Sequence, residues 1–200
     1  MLKSGQAALA VLINLSMLSS ASAAELKPPT NSLSNETYAD CALNQKAREL
    51  AELIITDSEQ QRSELYCNAL LSEVAQKKAE EMAAAGKVSH YGGGGSPNLR
   101  LIKAGYPLNL PAEAIGENHV EAILGGYSEP QDVIDKFRNS YSHRVHLFAE
   151  DPFFLEQNEI GIGYATEWNS PHVEYWVVYI AKGNRVSIDD EPSKSEEDSP

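Results

Sequence analysis

The sequence predicts an α+β domain in which helices pack on a small sheet. Apolar residues recur at helical spacing in successive segments from Tyr38 to Phe137. Strand-type alternation is confined to the end of the chain, in Asn158 to Ala165 and Val173 to Ala181, with Asn169-Ser170-Pro171 as the connection. Helices first and an antiparallel hairpin last read as helices covering one sheet. No internal repeat divides the 200 residues, so one domain is expected between ragged ends.

Residues 1–23 read as a signal peptide: Lys3 gives the positive start, Ala7 to Leu18 is apolar, and Ala21-Ser22-Ala23 has the small-x-small form of a cleavage site. The apolar run falls short of the roughly 20 residues that span a bilayer, and no later segment approaches that length. The expectation is a secreted or periplasmic chain with no transmembrane anchor once the leader is removed. Residues 24–37, rich in Pro, Ser, Thr and Asn, read as a linker, and Asn35-Glu36-Thr37 matches a glycosylation sequon. The domain is expected over 38–184.

Leu43, Ala47, Leu50, Leu53 and Ile54 predict a first helix over Tyr38 to Ile55, with Cys41 in its first turns. Thr56-Asp57 breaks the pattern. Ser58 and Gln61 have capping-box spacing and predict the start of a second helix with a break near Cys67. Its later part carries the apolar stripe Leu71, Val74, Ala75, Ala79, Met82 and Ala83 and stops at Gly86. The run Gly92 to Gly95 lacks the Gly-Lys-Ser/Thr ending and the enclosing βαβ pattern of a phosphate cradle, so it reads as a loop.

Ser96 and Pro97 suit the cap and first position of a short helix ending at Gly105. Pro107 to Pro111 reads as extended or looped, and Ala112 to Val120 as a short strand or extended segment that ends before Gly125-Gly126. Ser128-Glu129-Pro130-Gln131 is a second capping box, and Val133, Ile134 and Phe137 give the following helix its buried face. Ile160, Ile162 and Tyr164 then alternate with Gly161 and Gly163, which keeps one side of the strand small for something to pack closely. Residues 185–200, with Asp189-Asp190-Glu191 and Glu196-Glu197-Asp198, read as an acidic disordered tail.

The formal charge is −13, and losing Lys3 with the leader makes it one unit more negative. Such a chain repels nucleic acid and anionic membrane surfaces. Cys41 and Cys67 are the only cysteines, and in an exported protein an even pair most simply forms a disulfide. The loop it closes contributes about 3.5 kcal/mol on the chain-entropy relation. The competing reading, a cysteine nucleophile near a histidine, finds no support in the residues around either cysteine.

His90, Glu117, His143 and His146 stand near the ends of predicted elements, where side chains can converge on a cleft. Imidazoles and a carboxylate suit a divalent ion, zinc first, and three protein ligands leave a position for water or substrate. His143 and His146 share a face if their segment is helical. Each has a plainer reading: His90 as a cation at a helix C-terminus, Glu117 as an acceptor of turn amides, His146 as a packed ring. Ser89, Ser140 and Ser142 lie near histidines, but no Gly-x-Ser-x-Gly elbow is present.

Read in order, Ala79-Glu-Glu-Met-Ala83, Ser89-His90, Gly116-Glu117-Asn118, Ser140-x-x-His143-Arg144, Ile160-Gly-Ile-Gly163 and Tyr175-Trp176-Val177 form a recognisable series. From about Asp40 to Lys182 the chain resembles the CAP superfamily, the SCP-like extracellular domain of cysteine-rich secretory proteins, antigen 5 and plant pathogenesis-related proteins, in its bacterial form. The resemblance implies an α-β-α sandwich with a small, largely antiparallel central sheet, and a cleft of histidines and acidic residues able to hold a divalent metal. It matches His90, Glu117 and His143 to the family's motifs. His146 falls where many bacterial members have Asn and is a secondary ligand candidate. The second glutamate and the Gly-His-Tyr motif of animal and plant members have no counterpart, and Glu121 and Glu113 are the candidates for the second acid.

The expected function is therefore an exported module whose cleft holds a metal and a peptide, lipid or cell-wall ligand. The rival is a metal-assisted hydrolase with Glu117 as base. A third reading is a structural or host-interaction protein with an inert cleft.

Overall fold

The computed structural model describes residues 37–183. The signal peptide over 1–23, the linker residues 24–36 and the tail over 185–200 lie outside the described residues. Helices α1 (Gln45–Ile55), α2 (Ala69–Ala85), α3 (Pro97–Lys103), α4 (Pro130–Arg138), α5 (Tyr141–Leu147) and α6 (Pro152–Leu155) surround four strands: β1 (Tyr66–Cys67), β2 (Glu121–Gly125), β3 (Glu159–Glu167) and β4 (Val173–Ala181). The strand order is β1-β3-β4-β2, antiparallel except for the short parallel pairing of β1 with β3. Residues buried on the two faces form separate cores. One joins α1, α4 and the end of α5 to Ile160, Ile162, Trp176, Val178 and Ile180. The other joins α2 and α3 to Tyr175, Val177, Tyr179 and Ala181. This is the expected α-β-α sandwich with a small, largely antiparallel sheet.

The alternation in β3 and β4 explains the two cores, because successive side chains leave opposite faces of a strand. On the α2 side β3 presents Gly161 and Gly163. A Cβ built on Gly161 would lie 2.3 Å from the Ser72 amide nitrogen, and one on Gly163 would lie 2.2 Å from Ala75 backbone atoms. The helix therefore rests on bare strand backbone, as the small side of the alternation suggested. Helix α2 is stopped at both ends by its own sequence. Asn68 accepts from the Leu71 amide at 3.1 Å, and Gly86 takes the left-handed conformation, φ 63°, that favours glycine.

Four expectations are corrected. The first helix begins at Gln45, capped by Asn44, and not at Tyr38. Residues 38–44 are used otherwise: Ala39–Cys41 form a 3-10 turn, and Ala42 bridges Ile162 in parallel. Ala42 and the pair Tyr66 and Cys67 thus cover one edge of β3 in tandem, and the Cys41–Cys67 disulfide ties these two covers together. Covering an edge removes a template for unwanted pairing.

No helix starts at Ser58. Asp57 accepts from the Glu59 amide at 2.8 Å, and Gln61 donates its amide to the Phe148 carbonyl. The segment is drawn inward by Arg62, which is buried. Its guanidinium donates to the carbonyls of His146, Leu147, Phe154 and Gln157, groups at or just past the ends of α5 and α6. A capping-box spacing cannot compete with that set of tertiary bonds.

Ala112 to Val120 is not extended: Ala112–Gly116 is a 3-10 turn, and the strand begins at Glu121. Helix α4 is entered from Glu129 with Pro130 in its first turn, so Ser128 is not its cap and no side-chain cap bond forms. The short helix after Ser96 is as expected, its hydroxyl accepting from the Leu99 amide at 3.2 Å.

Cys67→Ser is expected to lower the melting temperature under oxidising conditions, by an amount equivalent to about 3.5 kcal/mol, and to leave it unchanged relative to the wild type under reduction. Thermal melts with and without dithiothreitol check this. Gly163→Ala is expected to cost at least about 2 kcal/mol, because backbone and not a flexible side chain meets the new methyl. Urea denaturation of that variant measures the cost.

Candidate functional site

A cleft of about 300 Å³ opens between the start of β2 and helix α5, lined among others by His90, Asn118, Glu121, Ser142, His143 and His146. Its floor is built from a carboxylate. Glu121 is the first residue of β2, and its side chain is fully buried. Oε1 lies 2.9 Å from His90 Nδ1. Oε2 accepts from Arg100 Nη1 at 2.6 Å and from the Tyr179 hydroxyl at 2.5 Å. Arg100 Nη1 also contacts the Tyr179 hydroxyl, and Nη2 donates to the His90 carbonyl at 2.7 Å. Burial, followed by the charge of Glu121, holds the Tyr179 phenol well above its ordinary range, so it stays a donor.

This arrangement sets the tautomer of His90. An ionised carboxylate only accepts, so Nδ1 carries the hydrogen, and in the neutral ring Nε2 keeps the lone pair. The Asn118 side-chain nitrogen lies 3.2 Å from the same Nδ1, but it is itself a donor and does not compete with Glu121. Asn118 does something else. Its Oδ1 accepts from the amides of Glu121 and Val120, and its Nδ2 donates to the Glu121 carbonyl at 2.9 Å. It fixes the backbone where the strand begins and so fixes the carboxylate.

The opposite wall is α5, whose helical form puts His143 and His146 one turn apart, as their spacing suggested. Both line the cleft. His143 packs edge-on to Phe137 with ring centroids 5.0 Å apart. Burial and then the neighbouring His90 lower its pKa. His146 is buried, and its Nε2 lies 3.4 Å from the Ile180 carbonyl, to which it donates. That carbonyl is available because the Val120 amide goes to Asn118. Burial, followed by the charge of Arg62, pushes His146 down to about 3.

The sequence-derived set is thus divided. His90, His143 and His146 come together in one cleft. Glu117 does not join them: its carboxylate is 63% exposed and lies 3.3 Å from His119 Nε2. Glu113 is exposed in the 3-10 turn. Of the two candidates for the second acid, Glu121 is the one in the cleft. His90 is not a helix cap either, since α2 has already ended at Gly86. Among the described residues no group of three His, Cys, Asp or Glu side chains could hold a metal ion. A centre built on His90, Glu117 and His143 therefore does not fit, whereas His90 and His143 line the same cleft. Serine chemistry has no partner: Ser89 bonds the Tyr91 carbonyl, Ser140 precedes α5, and among the described residues no serine hydroxyl bonds an imidazole.

Arg100, Asn118 and Tyr179 were missed as site residues. The available signal was Glu121 itself, a lone acid opening the apolar run Ala122-Ile123-Leu124, since a carboxylate carried into a core strand needs donors.

No family model matches the chain, and no curated protein sequence matches it. The fold is similar to that of a solved structure, an outer surface protein from Borrelia burgdorferi, with a TM-score of 0.53 and 20% identity over 68% of this chain and 90% of that one. At that identity the likeness concerns the fold alone.

His146 generates a stability prediction. Its folded pKa lies below the ordinary histidine value, so the unfolded state binds the extra proton as pH falls. Stability is fully present above about pH 6.5 and declines by about 1.4 kcal/mol per unit toward pH 3. His146→Gln keeps a donor for the Ile180 carbonyl and cannot titrate. Between pH 7 and pH 5 the wild type is expected to lose about 2 kcal/mol more than this variant, as read from urea midpoints at the two pH values.

Proposed function

We propose that this chain is an exported protein of the cell envelope that binds its ligand in the His90/His143 cleft, with a divalent ion, zinc first, held by the two imidazoles. The observation that carries the reading is the buried Glu121 carboxylate on His90 Nδ1, which leaves Nε2 as a fixed acceptor. A carboxylate behind a histidine is the usual support of a metal-binding imidazole, because it orients the ring and raises its basicity. Two protein donors leave the remaining positions to water or to atoms of a peptide, lipid or cell-wall ligand.

Export is supported by the leader-like residues 1–23 and by the Cys41–Cys67 disulfide, which suits a compartment outside the reducing cytoplasm. Among the described residues no helix is long and apolar enough to cross a membrane. The motif series that resembles the CAP superfamily falls on a sandwich of the expected layers, and the fold neighbour is an outer surface protein. Both agree with a protein that works outside the cell or in its envelope.

Binding is preferred to hydrolysis because of where the carboxylates are. Glu117, the base that a metal-assisted hydrolase would use, points to His119 and does not line the cleft. Glu121 does line it, but both of its oxygens are occupied.

Zinc titration of the purified exported chain by calorimetry is expected to show one site, lost in His90→Ala and in His143→Ala and kept in Glu117→Gln and His146→Gln. Failure of the wild type to bind zinc stoichiometrically overturns the metal part. Loss of zinc in Glu117→Gln would return that residue to the site.

A further inference from the structure

Tyr141 opens α5 and lines the cleft, yet it is 74% exposed. A solvated aromatic ring is ordinarily held by nothing. This one is backed by the guanidinium of Arg144, one helical turn on, with Cζ 5.9 Å from the ring centroid. Arg144 is held in turn by its Nε at 2.7 Å from Glu150 Oε1. The ring therefore stands at the cleft mouth, backed on one side by Arg144, with its apolar surface largely uncovered.

The groups behind it have no charge to spare. Glu121 is the one carboxylate in the lining, and His90, Arg100 and Tyr179 occupy it. Among the described residues no lysine or arginine lines the cleft. What remains is polar: imidazole nitrogens, the Asn118 amide and the Ser142 hydroxyl, beside the apolar side chains of Val145 and Phe154. A peptide terminus or a charged side chain would meet no lysine, arginine or unoccupied carboxylate in the lining, at a desolvation cost. A lipid tail would leave the cleft's polar groups unsatisfied. A ligand that fits has a flat apolar face for the tyrosine and uncharged hydroxyl or amide groups around its edge. A pyranose ring has that form, with C–H bonds on its face and hydroxyls at its rim. A volume of about 300 Å³ is at the small end for a ligand site and suits one ring.

We propose that the cleft recognises one saccharide unit of a glycan, stacked on Tyr141. The proposal rests on the reading of the cleft as a ligand site, but it does not require the metal ion.

The test is calorimetric or NMR titration of the purified exported chain with chitotriose, cellotriose and maltotriose, each in EDTA and again with zinc. Amidated trialanine and palmitate serve as rival probes. At least one trisaccharide is expected to saturate a single site. Tyr141→Ala should weaken it on the order of tenfold and Tyr141→Phe should not, since the stacking surface and not the hydroxyl is used. Because Tyr141 is exposed, both variants should melt with the wild type, and a melt that does so certifies the comparison. Binding of a trisaccharide in EDTA by a chain that takes no zinc would sustain the saccharide and remove the metal. Zinc binding with no trisaccharide bound under either condition overturns the saccharide and leaves the metal. Trisaccharide binding indifferent to Tyr141→Ala also overturns it, as does Tyr141-dependent binding of trialanine or palmitate in place of sugar.

Discussion

The layers of the molecule depend on the contact between α2 and β3. Gly161 and Gly163 leave no room for a methyl group between strand backbone and helix backbone. With α2 seated there, the alternation of the strand sends Ile160 and Ile162 to the opposite core. Pairing with β4 then fixes which of its side chains go where. Tyr175, Val177 and Tyr179 join α2, and Trp176, Val178 and Ile180 join α1 and α4. A slip of one residue would exchange the two sets. The Tyr179 hydroxyl would then leave Arg100 and Glu121, so the floor of the cleft depends on two glycines far from it in sequence.

The wall of the cleft depends on a different buried group. Arg62 is enclosed among carbonyls, and burial lowers its pKa to about 10, which still leaves it a cation at any physiological pH. It binds carbonyls at the ends of α5 and α6, and so it helps set the position of the helix that carries His143 and His146. Its charge also opposes protonation of His146. One side chain from a segment with no regular structure thus orders the wall and helps keep it neutral. Bonds to a charged donor are worth roughly twice those between neutral groups, which explains why ten residues after α1 give up helix for this role.

Most of the layer structure was legible in the sequence, because it is written in local periodicity. The apolar stripe of α2, the glycine-spaced strand and the hairpin need only nearest neighbours along the chain to be recognised. What was not legible depends on partners distant in sequence. The Ser58 and Gln61 spacing is a sound helix signal, and only the carbonyls of residues 146 to 157 explain why it fails. Tyr38 to Asn44 has a helical apolar pattern, yet it is spent on the edge of β3. His90 and His143, singled out through their motifs, both line the cleft, while Glu117 lies outside it and Glu121 lines it. They stand four positions apart, and the difference is that Asn118, between them, holds the start of the strand. Its amide group binds the backbone of residues 120 and 121 and turns the second carboxylate, not the first, toward the core.

That exchange bears on what the cleft can do. An exposed glutamate beside a metal-bound water would be free to take a proton, which is what hydrolysis needs. A glutamate held by an arginine, a phenol and an imidazole already has donors on both oxygens, and adding a proton would set it against them. Its pull acts on the imidazole: it fixes the ring, selects the tautomer and leaves Nε2 as an acceptor with one direction. Such a nitrogen can hold a cation or accept a hydrogen bond from a hydroxyl, and in either case the geometry exists before the ligand arrives. Little ordering cost remains to be met on binding. An imidazole oriented by a buried carboxylate at the floor and an exposed aromatic ring at the mouth are two points that a small rigid ligand could use together, where a flexible chain would have to be ordered first.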